Sequence, residues 1–464
     1  MQICVFALGK IGLPLAVQFA RLGHRVVGVD VAPRVVDLVN SGAVPFPGEP
    51  GLEEALKQAV SDGTLRATLD GTAASATADA VVVVVPLIVD QEGVPDFGPL
   101  DAATSVLAAG LKPGTLVSYE TTLPVGTTRE RFAPMLEAGS GLAAGRDFAL
   151  VFSPERVSSG RIFADLRRYP KLVGGIDADS TRRGVEFYGQ VLEFDERDDL
   201  PRPNGVWDLG AAEAAELAKL AETTYRDVNI GLANTFARYA DRIGVDIAPV
   251  IEACNSQPFS HIHQPGIAVG GHCIPVYPRM YLWNDPAAQV VRVAREANAA
   301  MPQYAVELLE QEHAAVVAGG DGAGGGSAAD GGAVDDGAVD DGAVDNGVLA
   351  GAQVVVLGVA YRGGVKETAF SGVFPTVQAL RERGAEVRVA DPMYTDEELR
   401  ALGFEPYEPG TPVDAAIIQT DHAEYRRLTP QDLPGIRILI DGRRITDAAA
   451  WTGVRRRLIG AGDR

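Results

Sequence analysis

Short apolar runs recur along the first half of the chain, bounded by Gly, Pro or Asp. Gln2–Leu8, Arg25–Asp30, Ala80–Pro86, Thr115–Thr121, Phe148–Ser153 and Leu172–Ile176 are brief and β-rich, which predicts strands. Between the first two lies an apolar helical run from Leu13 to Leu22, closed by Gly23. Strands spaced by helical patterns imply a parallel sheet with helices on both faces. The texture changes after Pro201. From Asp208 to Ile243 there is no proline and Ala, Leu and Glu dominate. This predicts one helix of roughly 36 residues, ~54 Å at 1.5 Å per residue, a length that suits a spine or a dimer contact. A second helical stretch, Gln289 to Val317, contains Met301-Pro302, where the proline ring must kink or interrupt it.

Residues Ala318 to Gly347 are almost entirely Gly, Ala, Asp and Val, with the unit GAVDD at Gly332–Asp336 and again at Gly337–Asp341. Glycine raises the ordering entropy and the acids repel, so a disordered acidic linker is expected. Beyond it the α/β pattern returns at Ala352–Leu357, Glu386–Asp391, Ala415–Gln419 and Ile436–Asp441, a second Rossmann-like domain. The expected fold is therefore α/β, with two Rossmann-like domains joined by a long central helix and a helical dimerisation region. The expected boundaries are 1–204, 205–317, a linker at 318–350, and 351–464.

Composition narrows the class. With 464 residues, 46% hydrophobic and 22% charged, most of the chain can build packed cores, which excludes a disordered or fibrous protein. The longest apolar run, Ala80 to Val89, falls short of the ~20 residues a bilayer requires. The chain opens on a strand-like segment without the features of a secretory signal, and its three cysteines do not make a disulfide scaffold, so a cytoplasmic location is expected. Sixty-two acids against 41 bases leave a net charge of −21, which disfavours nucleic acid and anionic membranes as partners. Only six of the bases are lysine. An acidic, lysine-poor surface suits a high-salt cytoplasm; the alternative is an ordinary acidic protein from a GC-rich genome.

Several segments carry chemistry. Ala7-Leu8-Gly9-Lys10-Ile11-Gly12 lies between a predicted strand and helix, and Asp30 closes the next strand. Gly9 lets the backbone approach a pyrophosphate, Gly12 lets the helix pack on the strand, and the helix N-terminus offers amides. Asp30 would accept from a ribose 2′-OH and repel a 2′-phosphate, favouring NAD over NADP. The plainer alternative is a glycine turn for packing alone. Thr121 and Thr122 follow a strand, where an α/β sheet binds ligands, although such hydroxyls also cap helices. Glu155, in Ser153-Pro154-Glu155-Arg156, also follows a strand and can serve as a base, or be a surface carboxylate paired with a neighbour such as Arg156. Gly270-Gly271-His272-Cys273-Ile274-Pro275 places a thiol on a glycine turn. A lone cysteine is more often a buried hydrophobe, but beside an NAD fold a thiolate can capture an aldehyde as a thiohemiacetal, whose oxidation gives a thioester for water to hydrolyse. Lys219 and Thr223, four apart, share a helix face; the lysine can stabilise an alkoxide or oxyanion, or be a solvated helix lysine.

Together these segments, with Leu357-Gly358-Val359-Ala360-Tyr361-Arg362, Asp391-Pro392 and Thr420-Asp421-His422, resemble the UDP-glucose/GDP-mannose dehydrogenase family over nearly the whole chain apart from the acidic stretch. Within it, Glu216-Leu217-Ala218-Lys219 and Gly270–Pro275 are most similar to the UDP-N-acetylhexosamine 6-dehydrogenases, the UDP-N-acetylmannosamine enzymes above all. The resemblance implies an NAD-binding domain, a helical dimerising middle, a UDP-binding domain, and four-electron oxidation of a sugar C6 hydroxymethyl to a carboxylate without a metal. It implies Cys273 as nucleophile, Lys219 as alkoxide and oxyanion stabiliser, Glu155 as handler of the hydrolytic water, and Thr122 as a water-holding group. Gly9, Ile11, Gly12, Asp30 and Thr121 would bind NAD. Arg156, Thr223, Gly270, Gly271, Tyr361, Arg362 and Arg443 would line the nucleotide-sugar site. The chain departs from the family pattern at Thr223 (commonly Asn), Tyr277 (commonly Asp), Ala369 (frequently Arg) and Phe259 (a basic residue reaching the partner's substrate). Rival readings are a UDP-glucose or UDP-N-acetylglucosamine 6-dehydrogenase, a catalytically silent nucleotide-sugar binding protein, and a one-step hydroxyacid dehydrogenase that needs no cysteine.

Overall fold

In the computed structural model the described residues are 1–90, 93–158, 160–320 and 348–462. Of the stretch 318–350 expected to form a linker, 321–347 lie outside them, while 318–320 end the helix Met301–Gly320 and Leu349 is buried, so the linker expected there is shorter at both ends. The chain divides into two compact units, Met1–Thr223 with Arg279–Ala287, and Thr224–Pro278 with Ala288–Arg464.

The first unit is built on an eight-stranded sheet. From one edge its strands are Leu65–Thr68, Arg25–Val29, Gln2–Phe6, Ala80–Val83, Leu116–Tyr119, Ala149–Phe152, Lys171–Gly175 and Val206–Ala211. The central strands are apolar and buried along their length, as strands covered by helices on both faces must be. The first six are parallel. Lys171–Gly175 then runs antiparallel to Ala149–Phe152, and Val206–Ala211 pairs parallel to it. The uniformly parallel sheet implied by the sequence pattern thus holds for six strands. The reversal brings the start of Lys171–Gly175 to the edge where Ala149–Phe152 ends.

The long helix spans Ala212–Ile243, 32 residues, and not from Asp208 as expected. Asp208 to Ala211 belong to the edge strand Val206–Ala211, and Gly210 at φ +78° is in the left-handed region that a right-handed helix excludes. Between Asp227 and Asp241 the helix carries three buried polar residues seven apart, and each is partnered. Asp227 ion-pairs with Arg295 at 2.8 Å, Asn234 bonds Asn298 at 2.8 Å, and Asp241 accepts from Tyr304 at 2.7 Å.

The second unit holds a five-stranded parallel sheet in the order Glu386–Ala390, Gln353–Leu357, Ala415–Ile418, Ile438–Asp441, Arg455–Leu458. The predicted second Rossmann-like fold is present. The last strand, Arg-Arg-Arg-Leu, carries no apolar run, so the sequence pattern does not reveal it. The expected interruption near Met301-Pro302 separates Gln289–Ala299 from Met301–Gly320, with the proline in the first turn, where its missing N–H is harmless. No helix of the described residues is long and apolar enough to cross a membrane.

Candidate active site

The glycine loop of the first unit has the shape of a dinucleotide cradle. Ala7, where such loops usually have glycine, sits at φ +73°, a strained setting for an L-residue. A Cβ on Gly12 would lie 1.9 Å from the Ala7 carbonyl oxygen, so the helix Gly12–Arg21 can approach the strand only with glycine there. A Cβ on Gly9 would meet nothing within 4 Å, which leaves the loop's outer side open to a ligand. Asp30 accepts from the Leu8 amide at 2.9 Å and, through its other oxygen, from the Ala32 amide at 3.0 Å, so its carboxylate is fixed against the loop. Ile11 lies at the helix entry, and the Thr121 hydroxyl donates to the Val85 carbonyl at 2.6 Å. The open loop beside the helix entry and the oriented acid fit NAD.

At the carboxyl edge of the same sheet, Glu155 does not pair with the Arg156 side chain. It joins a buried cluster: Lys171 Nζ lies 2.7 Å from Glu120 and 3.1 Å from Glu155, and the Tyr188 hydroxyl donates to Glu120 at 2.5 Å. Burial, with Glu155 adding repulsion and Lys171 opposing, pushes the Glu120 carboxyl up to about 7. Burial and the neighbouring Glu120 hold the Tyr188 phenol well above its ordinary value. The Arg156 guanidinium bonds Glu222 at 3.2 Å and the Pro170 carbonyl at 2.6 Å. Thr122 is buried.

On the long helix, Glu216, Lys219 and Thr223 are all buried, and Thr223 returns its hydroxyl to the Lys219 carbonyl at 3.0 Å. Lys219 is thus not the solvated lysine of the plainer reading. Glu216 accepts from the Gly126 amide at 2.6 Å, the Thr128 amide at 2.9 Å and the Thr128 hydroxyl at 2.7 Å, tying the threonine loop to the helix. Burial pushes its carboxyl up to about 7 against those donors. Glu120, Lys171, Tyr188 and Glu216 were not singled out for roles from the sequence. The available signal was a charge beside an apolar strand, Glu120 after Leu116–Tyr119 and Lys171 before Leu172.

The second unit assembles the glycine turn with Tyr361 and Arg443. A Cβ on Gly270 would come within 2.5 Å of Tyr361 Cβ, and Gly271, at φ +90°, lies under the Tyr361 ring. The Gly271 amide donates to the Ala369 carbonyl at 2.8 Å. The close approach these glycines permit within the described residues is therefore to a neighbouring side chain. Arg443 spans three segments, donating to the carbonyls of Gln419 at 2.8 Å, Ala268 at 3.4 Å and Tyr361 at 3.4 Å. Burial lowers its pKa, with Asp421 and Asp441 opposing. Arg362 is exposed, with its guanidinium 5.8 Å from the Tyr361 ring centroid. Cys273 is exposed at the first position of the helix Cys273–Asn284. In contrast, Cys4 is buried, and burial pushes its thiol up to about 12.

Two Rossmann-like sheets and a dinucleotide loop with an acid after its second strand place the chain in the class of dinucleotide-dependent dehydrogenases. Sequence models of the UDP-glucose/GDP-mannose dehydrogenase family match the chain with their NAD binding domain at residues 1–192, central domain at 213–300 and UDP binding domain at 355–448. The UDP-N-acetyl-D-mannosamine dehydrogenase of Pyrococcus horikoshii is 34% identical over 457 residues, covering 96% of each chain. A solved structure of UDP-D-ManNAc dehydrogenase from that organism superposes with a TM-score of 0.82 at 31% identity, covering all of both chains. A UDP-glucose dehydrogenase from Pyrobaculum islandicum matches with a TM-score of 0.77 at 27% identity, covering 97% of this chain and 98% of its own. The chain belongs to the UDP-glucose/GDP-mannose dehydrogenase family. It is an NAD-dependent oxidoreductase of UDP-sugars.

Proposed function

We propose that the sugar oxidised is UDP-N-acetyl-D-mannosamine and the product its 6-carboxylate. The observation that carries this reading is the full-length similarity to the Pyrococcus horikoshii enzyme, together with the presence of Cys273, Lys219 and Glu155 in this chain. UDP-glucose is the alternative, supported by the likeness to the Pyrobaculum islandicum dehydrogenase.

In this reading Gly9, Ile11, Gly12, Asp30 and Thr121 hold NAD, which when bound supplies the hydride acceptor for each oxidation of C6. Lys219 stabilises the alkoxide as the C6 hydroxyl loses its proton. The Cys273 thiolate adds to the resulting aldehyde, forming a C–S bond and a thiohemiacetal whose oxidation leaves a thioester. Glu155 takes a proton from a water that Thr122 helps to hold, the water oxygen attacks the thioester carbon, and the C–S bond breaks. The sum is an alcohol, two NAD⁺ and water giving a carboxylate, two NADH and three protons. The half-buried Arg443 guanidinium offers a cation to the diphosphate, with Arg156, Thr223, Gly270, Gly271, Tyr361 and Arg362 lining the nucleotide-sugar site.

The domain bounds proposed are 1–204 for NAD, 205–317 for the helical middle and 351–464 for UDP. The middle is proposed as the contact of a homodimer in the cytoplasm, and the acidic, arginine-rich composition as an adaptation to high salt. The test is kcat/KM for UDP-N-acetylmannosamine, UDP-N-acetylglucosamine and UDP-glucose at low and high salt. A preference for the first, kept or raised by salt, is expected. A preference for UDP-glucose would replace the substrate assignment.

A further inference from the structure

We propose that Lys171 positions Glu155 for thioester hydrolysis and relays the proton that Glu155 removes from water to Glu120, deeper in the first unit. The inference rests on the reading of Glu155 as the residue that handles the hydrolytic water.

The topology makes the cluster. Glu120 follows the strand Leu116–Tyr119 and Glu155 follows its neighbour Ala149–Phe152. Lys171 opens the next strand, which runs antiparallel, so its first residue lies at the edge where the other two end. A parallel strand there would place its last residue, not its first, at that edge. The lysine side chain is 3% exposed, Glu120 is 0% and Glu155 is 12%, so the cluster is graded from the interior to the surface. Lys171 Nζ reaches one oxygen of each carboxylate. The remaining Glu120 oxygen receives the Tyr188 hydroxyl, which also lies 2.7 Å from the Ser118 hydroxyl. Lys171 Nζ stands 4.8 Å from the Tyr188 ring centroid, so the ammonium is enclosed on that side as well.

The charges on the nearby elements are otherwise engaged. Arg156 is held by Glu222 and the Pro170 carbonyl. Asp165, which lines the same small cavity as Glu155 and Lys171, accepts from the Ser158 amide and pairs with Arg161. One ammonium therefore serves two carboxylates, and the cluster carries a net negative charge when both are ionised. A buried site of that charge takes up a proton readily. Glu120, raised to about 7, is its deeper acceptor.

The protons balance within one hydrolysis, and Glu120 is reset when the relay runs in reverse and Glu155, the most exposed of the three at 12%, passes the proton to solvent. Water loses a proton to Glu155 as its oxygen bonds the thioester carbon and the thiolate departs. Protonated Glu155 returns a proton toward Lys171 as Lys171 passes one to Glu120, which leaves Glu155 ionised, Lys171 charged and Glu120 neutral. Glu120 must be ionised to receive it, so hydrolysis gains a limb that rises with pH through neutrality. Below that limb Glu120 is already protonated and cannot receive the proton.

The experiment is rapid acid quench of enzyme turning over UDP-N-acetyl-D-mannosamine with excess NAD⁺. Intact-protein mass reads the thioester on Cys273, and its decay is followed as a function of pH. Lys171→Met should accumulate the thioester and hydrolyse it at least about tenfold more slowly, with NAD affinity unchanged, and Lys171→Arg should recover most of the rate. Glu120→Gln, nearly isosteric, should lose the limb near neutrality. If Glu155→Gln accumulates thioester while Lys171→Met clears it at the wild-type rate, the inference fails and the reading of Glu155 stands. If Glu155→Gln accumulates none, both fail. Should Lys171→Met not fold, Glu120→Gln decides: a surviving limb near neutrality overturns the relay.

Discussion

Glu216 illustrates how a single buried carboxylate can serve architecture. It takes three donors from the loop 126–128 and fixes that loop to the long helix, next to Lys219 on the same helix face. Its carboxyl titrates near 7 in the folded protein because burial outweighs those donors, against about 4.5 when exposed. The folded state therefore holds a proton that the unfolded chain has released. The stability this contributes is full below about pH 4.5 and is lost as pH rises through 7. Against Glu216→Gln, which cannot titrate, the native protein should lose on the order of 3 kcal/mol between about pH 5 and pH 8. Urea unfolding of both proteins across that range measures it, and parallel stability curves would contradict the account. The motif residues Cys273, Lys219, Glu155 and Asp30 were visible from their types and settings. The partners Lys171, Glu120 and Glu216 were not, because what joins them is contact across strands and between loop and helix, which sequence spacing does not encode.

At the scale of elements, the helix Ala212–Ile243 does two things along its length. Its first turns carry Glu216, Lys219 and Thr223 on a buried face. Further on, Tyr225, Leu232, Phe236, Tyr239 and Ile243 form a stripe at helical spacing, between 37% and 58% exposed. An apolar stripe of this kind marks an interaction surface, and a second copy of the chain is the proposed occupant. Phe236→Glu with Tyr239→Glu should convert a dimer to a monomer in light scattering while leaving NAD binding intact. A monomeric wild-type protein, or a dimeric double variant, would contradict the proposal. The apolar strands of both sheets could be read from short apolar runs bounded by turn residues. Leu65–Thr68, Val206–Ala211 and Arg455–Leu458 could not, since edge strands mix polar and apolar residues. The antiparallel turn of Lys171–Gly175 was equally hidden, because a short apolar run has no direction written in it.

For the whole molecule, the two units hold different halves of the proposed chemistry. The first carries the NAD loop, Lys219 and the Glu155 cluster, and the second carries Cys273, Tyr361 and Arg443. The central claim is that one thiol retains the half-oxidised sugar between two oxidations. The most direct measurement is the amount of NADH formed per UDP-sugar, with the product identified by mass, in the native enzyme and in Cys273→Ala. The account predicts two NADH per sugar and a carboxylate from the native enzyme, and no carboxylate from the variant although it still binds NAD. Carboxylate formed by Cys273→Ala at the native rate, or one NADH per sugar from the native enzyme, would contradict it.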